Sequence, residues 1–271
     1  MIKKFYFLTD DDIKQIQDII KISKEKAADD PQHAKQWAEV EELGGLILKH
    51  GDTSRYAVKI TKHTGKMSGI PSVSTSQIFN KACKLLSQNK QNICYYCYAR
   101  KYSKLYKNLD AALLYNTLLL SFTYINPKTQ AAGLANFKYV RFESFSDLQN
   151  MQHFYNLYQI AKYFNETNFA LWTKRHLLVF GVMSTLKPLK NLNFILSNFR
   201  LNDKGERIKD LFIAKFESLG INPKNLKYFN VFESDFAWNN NIEINCGARS
   251  CASCLKCYKR NNIQCINELK K

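Results

Sequence analysis

Eight cysteines fall into two groups, with none between Tyr98 and Asn245. The later group reads Cys246-Gly-Ala-Arg-Ser-Cys251-Ala-Ser-Cys254-Leu-Lys-Cys257, four thiols within twelve residues. A gap of two lets neighbouring cysteines converge on one metal centre, and Gly247, Ala248, Ala252 and Ser253 leave the backbone free to wrap closely. Repeated gaps of two are typical of loops around a cubane iron–sulfur cluster, and a gap of four before a gap of two also matches the two-iron loops of plant-type ferredoxins. Zinc sites more often pair two CxxC knuckles across a longer insert, which makes zinc the alternative cofactor. The expectation is one or two 4Fe-4S clusters.

The earlier group, Cys83-x10-Cys94-Tyr-Tyr-Cys97, supplies three thiols. Three ligands leave one site of a four-iron cluster open, or filled by a fourth cysteine such as Cys257 or Cys265. Cys257 is the swap candidate, because the last cysteine of a ferredoxin run can ligate another cluster. Cys83 also reads as a small buried residue. Cys265 lacks a partner spacing and is not expected to ligate the main site. His33, His50, His63, His153 and His176 are scattered without metal spacing, and there is no Gly-rich phosphate loop, nucleophile elbow or HExxH pair.

A second set of residues falls at or just after expected strand ends: Arg141, Ser144, Asp147, Thr173, Lys174 and Ser197. In a βα sheet such positions face a common pocket, where Arg and Lys can hold a carboxylate or phosphate. Helix capping by Ser146 or Asp147 and solvent exposure of Lys174 are the plainer readings. Asn116 is either a pocket residue or a satisfied polar group in a buried helix. Tyr95, Tyr96, Tyr98, Tyr102 and Tyr106 interleave with Arg100, Lys101, Lys104 and Lys107. Tyrosines at this spacing can shield a cluster from solvent; beside cations they also suit stacking on single-stranded nucleic acid.

The elements that must position these residues follow from periodicity. Thr9 with Asp12 forms a capping-box pattern ahead of the stripe Ile13, Ile16 and Ile20. Asp30-Pro31 opens a second helix carrying Trp37, Val40, Leu43 and Ile47, which Gly44-Gly45 is expected to weaken or end. Arg55–Ile60 reads as a short strand, followed by a loop through Gly65, Gly69 and Pro71. A basic, tyrosine-rich helix spans about Tyr98–Tyr106, and an apolar helix lies near Leu113. Beyond it, Tyr139–Phe142, Phe169–Thr173, Phe194–Ser197 and Tyr228–Phe232 suit buried strands. Helices are clearest at Asp147–Phe164 and Asp203–Leu219, the latter stopped by Gly220. Strands separated by such helices imply βαβ units. The fold class is therefore α/β: a partial βα barrel or an open, mostly parallel sheet. Residues 1–50 form a helical appendage, 51–245 the α/β core with the first cysteine group, and 246–271 a cysteine-rich tail.

At 271 residues the chain buries enough surface to fold without a metal, so the clustered cysteines need a chemical reason. The net charge is +17, and residues 1–50 carry 8 lysines against 10 carboxylates, which leaves +19 for residues 51–271. Such a surface attracts polyanions including nucleic acid; a lysine-rich composition alone produces a similar balance. The opening run Met1–Leu8 is too short for a signal peptide, and polar residues interrupt the apolar stretch Ala111–Ile125, so no membrane span is expected. The reading is a cytoplasmic protein with reduced thiols.

Two segments resemble a known family. Gly65-Lys-Met-Ser-Gly69-Ile-Pro71-Ser-Val-Ser74 and Cys94-Tyr-Tyr-Cys97-Tyr-Ala99-Arg100 resemble the phage "gene product 88" family. Its members share a Pro- and Ser-containing lead-in loop, a cysteine group ending in Cys-Tyr-Ala, and a cysteine-rich C-terminal tail. Arg141-Phe-Glu-Ser144-Phe-Ser-Asp147, Trp172-Thr173-Lys174 and Asn193-Phe-Ile-Leu-Ser197 resemble later segments of that family, so the likeness spans roughly residues 60–260. The family in turn looks like radical S-adenosylmethionine enzymes. That likeness implies a three-cysteine cluster with one iron free for S-adenosylmethionine, a partial βα barrel, an auxiliary C-terminal cluster, redox or radical enzyme activity, and the cytoplasm of the phage's host cell. The sequence departs from the radical-enzyme pattern in two places: ten residues separate Cys83 from Cys94 where three are usual, and no Gly-Gly-Glu-like segment follows Cys97. Both bear on S-adenosylmethionine and neither on cluster binding. The alternative function is a basic nucleic-acid-binding protein with a structural iron–sulfur or zinc site.

Overall fold

A computed structural model describes residues 7–270, excluding the side chains of residues 101, 103–105, 107, 207 and 208. Residues 1–6 of the opening apolar run, and the side chains of Lys101, Lys104 and Lys107, therefore lie outside the described set.

The strands are β1 (Ser72–Val73), β2 (Tyr139–Phe142), β3 (Asn168–Thr173), β4 (Leu192–Ser197), β5 (Leu226–Phe232) and β6 (Cys265–Leu269). They pair in chain order, every neighbour parallel, into one open sheet. The helices are α1 (Asp10–Asp29), α2 (Ala34–Leu48), α3 (Lys81–Leu86), α4 (Tyr98–Leu105), α5 (Lys107–Phe122), α6 (Pro127–Gln130), α7 (Met151–Tyr163), α8 (His176–Met183), α9 (Glu206–Ser218), α10 (Ser234–Asn239) and α11 (Cys251–Cys254). The strand order never reverses. Right-handed crossovers then place the connecting helices on a single face, as in a βα barrel that does not close.

Alternation along the strands assigns the two faces. Val140, Phe142, Phe169, Leu171, Phe194, Leu196, Leu226 and Tyr228 point into the core shared with the helices. Ala170 and Ile195 belong to a second cluster with Ile70 and Tyr258, against which Tyr139, Trp172, Phe229, Cys251, Leu255 and Cys257 pack. The C-terminal cysteine segment is thus the cover of the helix-free face. All six residues of β4 are buried, as expected for a parallel strand covered on both sides.

Two expectations are corrected. Gly44-Gly45 does not end α2, which runs on to Leu48. A Cβ on Gly44 would stand 2.7 Å from the Ile20 side chain, so the glycine lets α2 approach α1 closely. Arg55–Ile60 is not a strand. It is an extended loop whose backbone bonds go to α6 and α5: Val58 N–H donates to the Gln130 carbonyl (2.7 Å) and Lys59 N–H to Asn116 Oδ1 (2.8 Å). Elsewhere local chemistry acts as read. Thr9 and Asp12 close the capping box, and Trp37, Val40, Leu43 and Ile47 are buried in the same core as the sheet. Among the described residues no helix is long and apolar enough to cross a membrane.

Candidate functional site

The first cysteine group is assembled at the C-terminal ends of β2 and β3. Asn80 caps α3 by accepting from Cys83 N–H (3.1 Å), and its amide donates to the carbonyls of Asp147 (2.6 Å) and Leu148 (3.2 Å). Cys83 Sγ lies 4.0 Å from Ser146 Oγ. The turn before Cys94 is held from the other side, where Ile93 N–H donates to the Phe199 carbonyl (3.0 Å) just beyond β4.

Asp147 closes this end of the sheet. One carboxylate oxygen accepts from Thr173 Oγ1 (2.5 Å) and Leu148 N–H (2.7 Å), the other from Lys174 N–H (2.7 Å). It does not cap α7; Asn150 does, accepting from His153 N–H. Burial works against the Lys174 ammonium, but Cys94, Asp147, Cys83 and Cys97 outweigh it and hold the group above the ordinary lysine value. Burial raises the Cys83 thiol, with Asp147 and Cys94 adding to it; burial also raises Cys94, against Lys174. Lys174 is therefore the cation of a three-thiol site rather than a solvent-facing lysine.

Next to it is a buried hydroxyl row. Ser144 Oγ reaches Ser72 Oγ (2.8 Å) and Ser74 Oγ (3.0 Å), and His63 Nε2 meets Ser72 Oγ at 2.8 Å. Burial, then Arg141, pushes His63 down to about 4, so its ring is neutral at ordinary pH. Beneath, Glu143 holds a left-handed backbone (φ 58°) and is buried with His153, 3.4 Å away. His153 Nδ1 accepts from Gln149 N–H (3.1 Å), which leaves the Nε2 proton facing the carboxylate.

The second group lies on the helix-free face. Cys246, Cys251, Cys254 and Cys257 all line one cavity with about 340 Å3 of empty space, its open mouth included, together with Lys66, Leu255, Tyr258 and Ile266. Tyr258 locks the segment down: its ring packs on Tyr139 (6.1 Å) and Trp172 (5.9 Å), and its carbonyl accepts from Asn193 Nδ2 (3.0 Å). Lys66 Nζ bonds Glu268 (2.8 Å) and approaches Cys246 Sγ (3.4 Å). Arg141 lies over the Trp172 ring at 3.9 Å, and its Nε is buried with no hydrogen-bond partner. Burial pushes the Cys257 thiol up to about 12; Cys246, Cys251 and Cys254 add to this and Arg141 opposes it. Burial likewise raises Cys246 and Cys251, against Lys66 in both.

The residues read from the sequence therefore divide. Asp147, Thr173 and Lys174 join Cys83, Cys94 and Cys97; Ser144 lies in the hydroxyl row; Arg141 belongs to the second group. Ser197 is buried at the end of β4, where its backbone faces His176. Asn116 is no pocket residue, since it brackets Lys59 and donates to the Ser74 carbonyl (3.0 Å). Cys257 sits with its own group. Cys265 packs on the helix side of the sheet beside Lys209. Lys66, Trp172 and Tyr258 escaped the sequence reading. Tyr258 follows Cys257 directly, and that adjacency is the one signal that points to it. Among the described residues, no three His, Cys, Asp or Glu side chains gather closely enough to hold a single metal ion.

An open, sequentially ordered parallel sheet with a cysteine segment across its helix-free face defines the class: an α/β protein whose strand ends and inner face carry two thiol groups. The chain belongs to the Gene product 88 family, whose family model matches residues 46–261. No curated protein and no solved structure matches it.

Proposed function

We propose that this chain is an iron–sulfur protein. Cys246, Cys251, Cys254 and Cys257 hold one four-iron cluster, and Cys83, Cys94 and Cys97 hold another at the strand ends. The observation that carries this reading is the single cavity lined by all four thiols of the second group. A cubane places iron and sulfide between its ligands and so takes a wider ligand set than a single zinc ion bound at about 2.3 Å. Four thiolates around it leave a net negative charge, which Lys66 and Arg141 are placed to balance; Lys174 stands in the same relation to the first group.

A four-iron cluster supplies electrons one at a time. Three thiols holding such a cluster would leave one iron without a protein ligand, where a small cofactor such as S-adenosylmethionine would coordinate. Asp147 and Thr173 fix Lys174 beside that position. Ser72, Ser74 and Ser144 offer hydroxyls nearby for a polar ligand, and redox or radical enzyme chemistry is assigned to this end of the sheet.

The test is iron, acid-labile sulfide and zinc per chain on protein purified without oxygen, with an absorption spectrum near 400 nm. About eight irons and eight sulfides are expected, falling to about four of each in Cys251→Ala/Cys254→Ala and in Cys94→Ala/Cys97→Ala. Zinc without sulfide overturns the reading.

A further inference from the structure

From Thr53 to Leu109 the chain contains no Asp or Glu and eleven Lys or Arg residues. Four of these pair with acids from elsewhere: Arg55 with Glu42, Lys59 with Glu39, Lys66 with Glu268, and Lys81 with Asp11. Lys62, Lys84, Lys90 and Arg100 are exposed. The segment that carries the first cysteine group thus shows solvent a predominantly positive charge.

The same segment exposes its tyrosines. Tyr95, Tyr96, Tyr98, Tyr102 and Tyr106 are each 42–51% exposed. Three of them form a ladder at one ring per helical turn: Tyr98 meets Tyr102 at 6.1 Å, and Tyr102 stacks on Tyr106 at 5.8 Å with planes 16° apart. The ladder is anchored at its inner end, where the Tyr98 hydroxyl donates to the Ser144 carbonyl. On the other side of Cys97, Tyr95 and Tyr96 meet edge to face at 5.1 Å, and the Lys270 ammonium lies 3.7 Å over Tyr96. α3, with Lys84, packs against that turn.

We propose that the surface formed by residues 81–107 binds single-stranded nucleic acid. The exposed rings of Tyr95, Tyr96, Tyr102 and Tyr106 receive unstacked bases, while Lys84, Lys90 and Arg100 meet the backbone phosphates. Half-exposed rings at this spacing offer faces and edges to flat partners, and every base has a face to offer. Duplex DNA keeps its base faces stacked inside and presents phosphates and base edges, so it offers the rings no face to stack on. Neighbouring lysines give the surface the charge that a polyanion requires.

The test is fluorescence anisotropy with labelled 20-nucleotide oligo-dT and oligo-rU on the full chain, over a salt series. Tyr102→Ala/Tyr106→Ala is expected to weaken binding about tenfold or more with the salt slope unchanged. Tyr102→Phe/Tyr106→Phe keeps the rings, and therefore the affinity. Lys84→Gln/Lys90→Gln reduces the log–log salt slope by about 0.7 for each phosphate that is no longer neutralised. Iron and sulfide content should match wild type in all three variants, so the outcome is independent of the cluster assignment. The proposal is overturned by an unchanged affinity of the Tyr→Ala variant, by duplex of equal length competing as well as single strand, or by an acidic peptide displacing the oligonucleotide.

Discussion

Tyr258 offers the sharpest test of how the second cysteine group is held. Its ring is 2% exposed and is the large side chain that fastens residues 246–258 to the helix-free face, between Tyr139, Trp172, Ala170 and Ile195. Truncating a buried ring of this size costs about 3–5 kcal/mol. The two aromatic contacts, at 6.1 and 5.9 Å, account for about 0.5–1.5 kcal/mol apiece within that loss. The hydroxyl has no hydrogen-bond partner in the protein. Removing it alone therefore relieves a buried polar group and is neutral or stabilising by about 1 kcal/mol. Tyr258→Ala should lower the urea midpoint markedly and release the tail, so that anaerobically purified protein falls from about eight irons to about four. Tyr258→Phe should keep both midpoint and iron. If Tyr258→Ala retains all its iron, or if Tyr258→Phe is as damaging as alanine, the ring does not clamp the site.

Three further outcomes follow from buried charge. Burial raises the Asp110 carboxyl to about 6 from 3.8, and its Oδ1 has no partner. A raised acid contributes stability below about pH 4 that is lost as pH rises through about 6, some 3 kcal/mol in all; Asp110→Asn should remove that slope and stabilise the protein at pH 7 in urea melts. Burial pushes His176 down to about 4 from 6.5, which works with the opposite sign. Its neutral form supports the fold above about pH 6.5 and that support is lost as pH falls through about 4, so His176→Phe should flatten acid denaturation measured by circular dichroism over this window. Lys66→Met removes the cation 3.4 Å from Cys246 Sγ; the midpoint potential of the second cluster should drop by on the order of 50 mV in a redox titration, with the iron content unchanged.

Much of the frame was legible because each element carries its own local signal. β2, β3, β4 and β5 are runs of largely buried aromatic and branched residues, and α9 is followed by Gly220 in a left-handed conformation (φ 76°), as its sequence suggests. β1 and β6 escaped because neither carries a clean period. Ser72–Val73 is two residues long and lies among serines. Cys265–Leu269 does not alternate, and its Asn267 and Glu268 read as surface until their partners Asn230 and Lys66 are known. At the sites, spacing marked the thiols and the expected strand ends marked Arg141 and Lys174, but neither tells which cation stands beside which thiol. Arg141 lies on β2 and Lys174 just past the end of the neighbouring β3, 33 residues on, yet they stand beside different cysteine groups. Lys66 reaches across 180 residues to Cys246, a contact that local pattern cannot encode.

The unreversed strand order has a consequence for synthesis. With all crossover helices on one side, the other side of the sheet, with Ala170, Trp172 and Ile195, is covered by Ile70 and by Cys251, Leu255, Cys257 and Tyr258 of the C-terminal segment. Those last four leave the ribosome after β5 is complete. A nascent chain long enough to pair five strands therefore still displays much of an apolar wall, the kind of surface that draws chaperones or aggregates. Under the iron–sulfur reading proposed above, loading of the second group would wait for the same late residues, so that site would mature at the step that covers the wall.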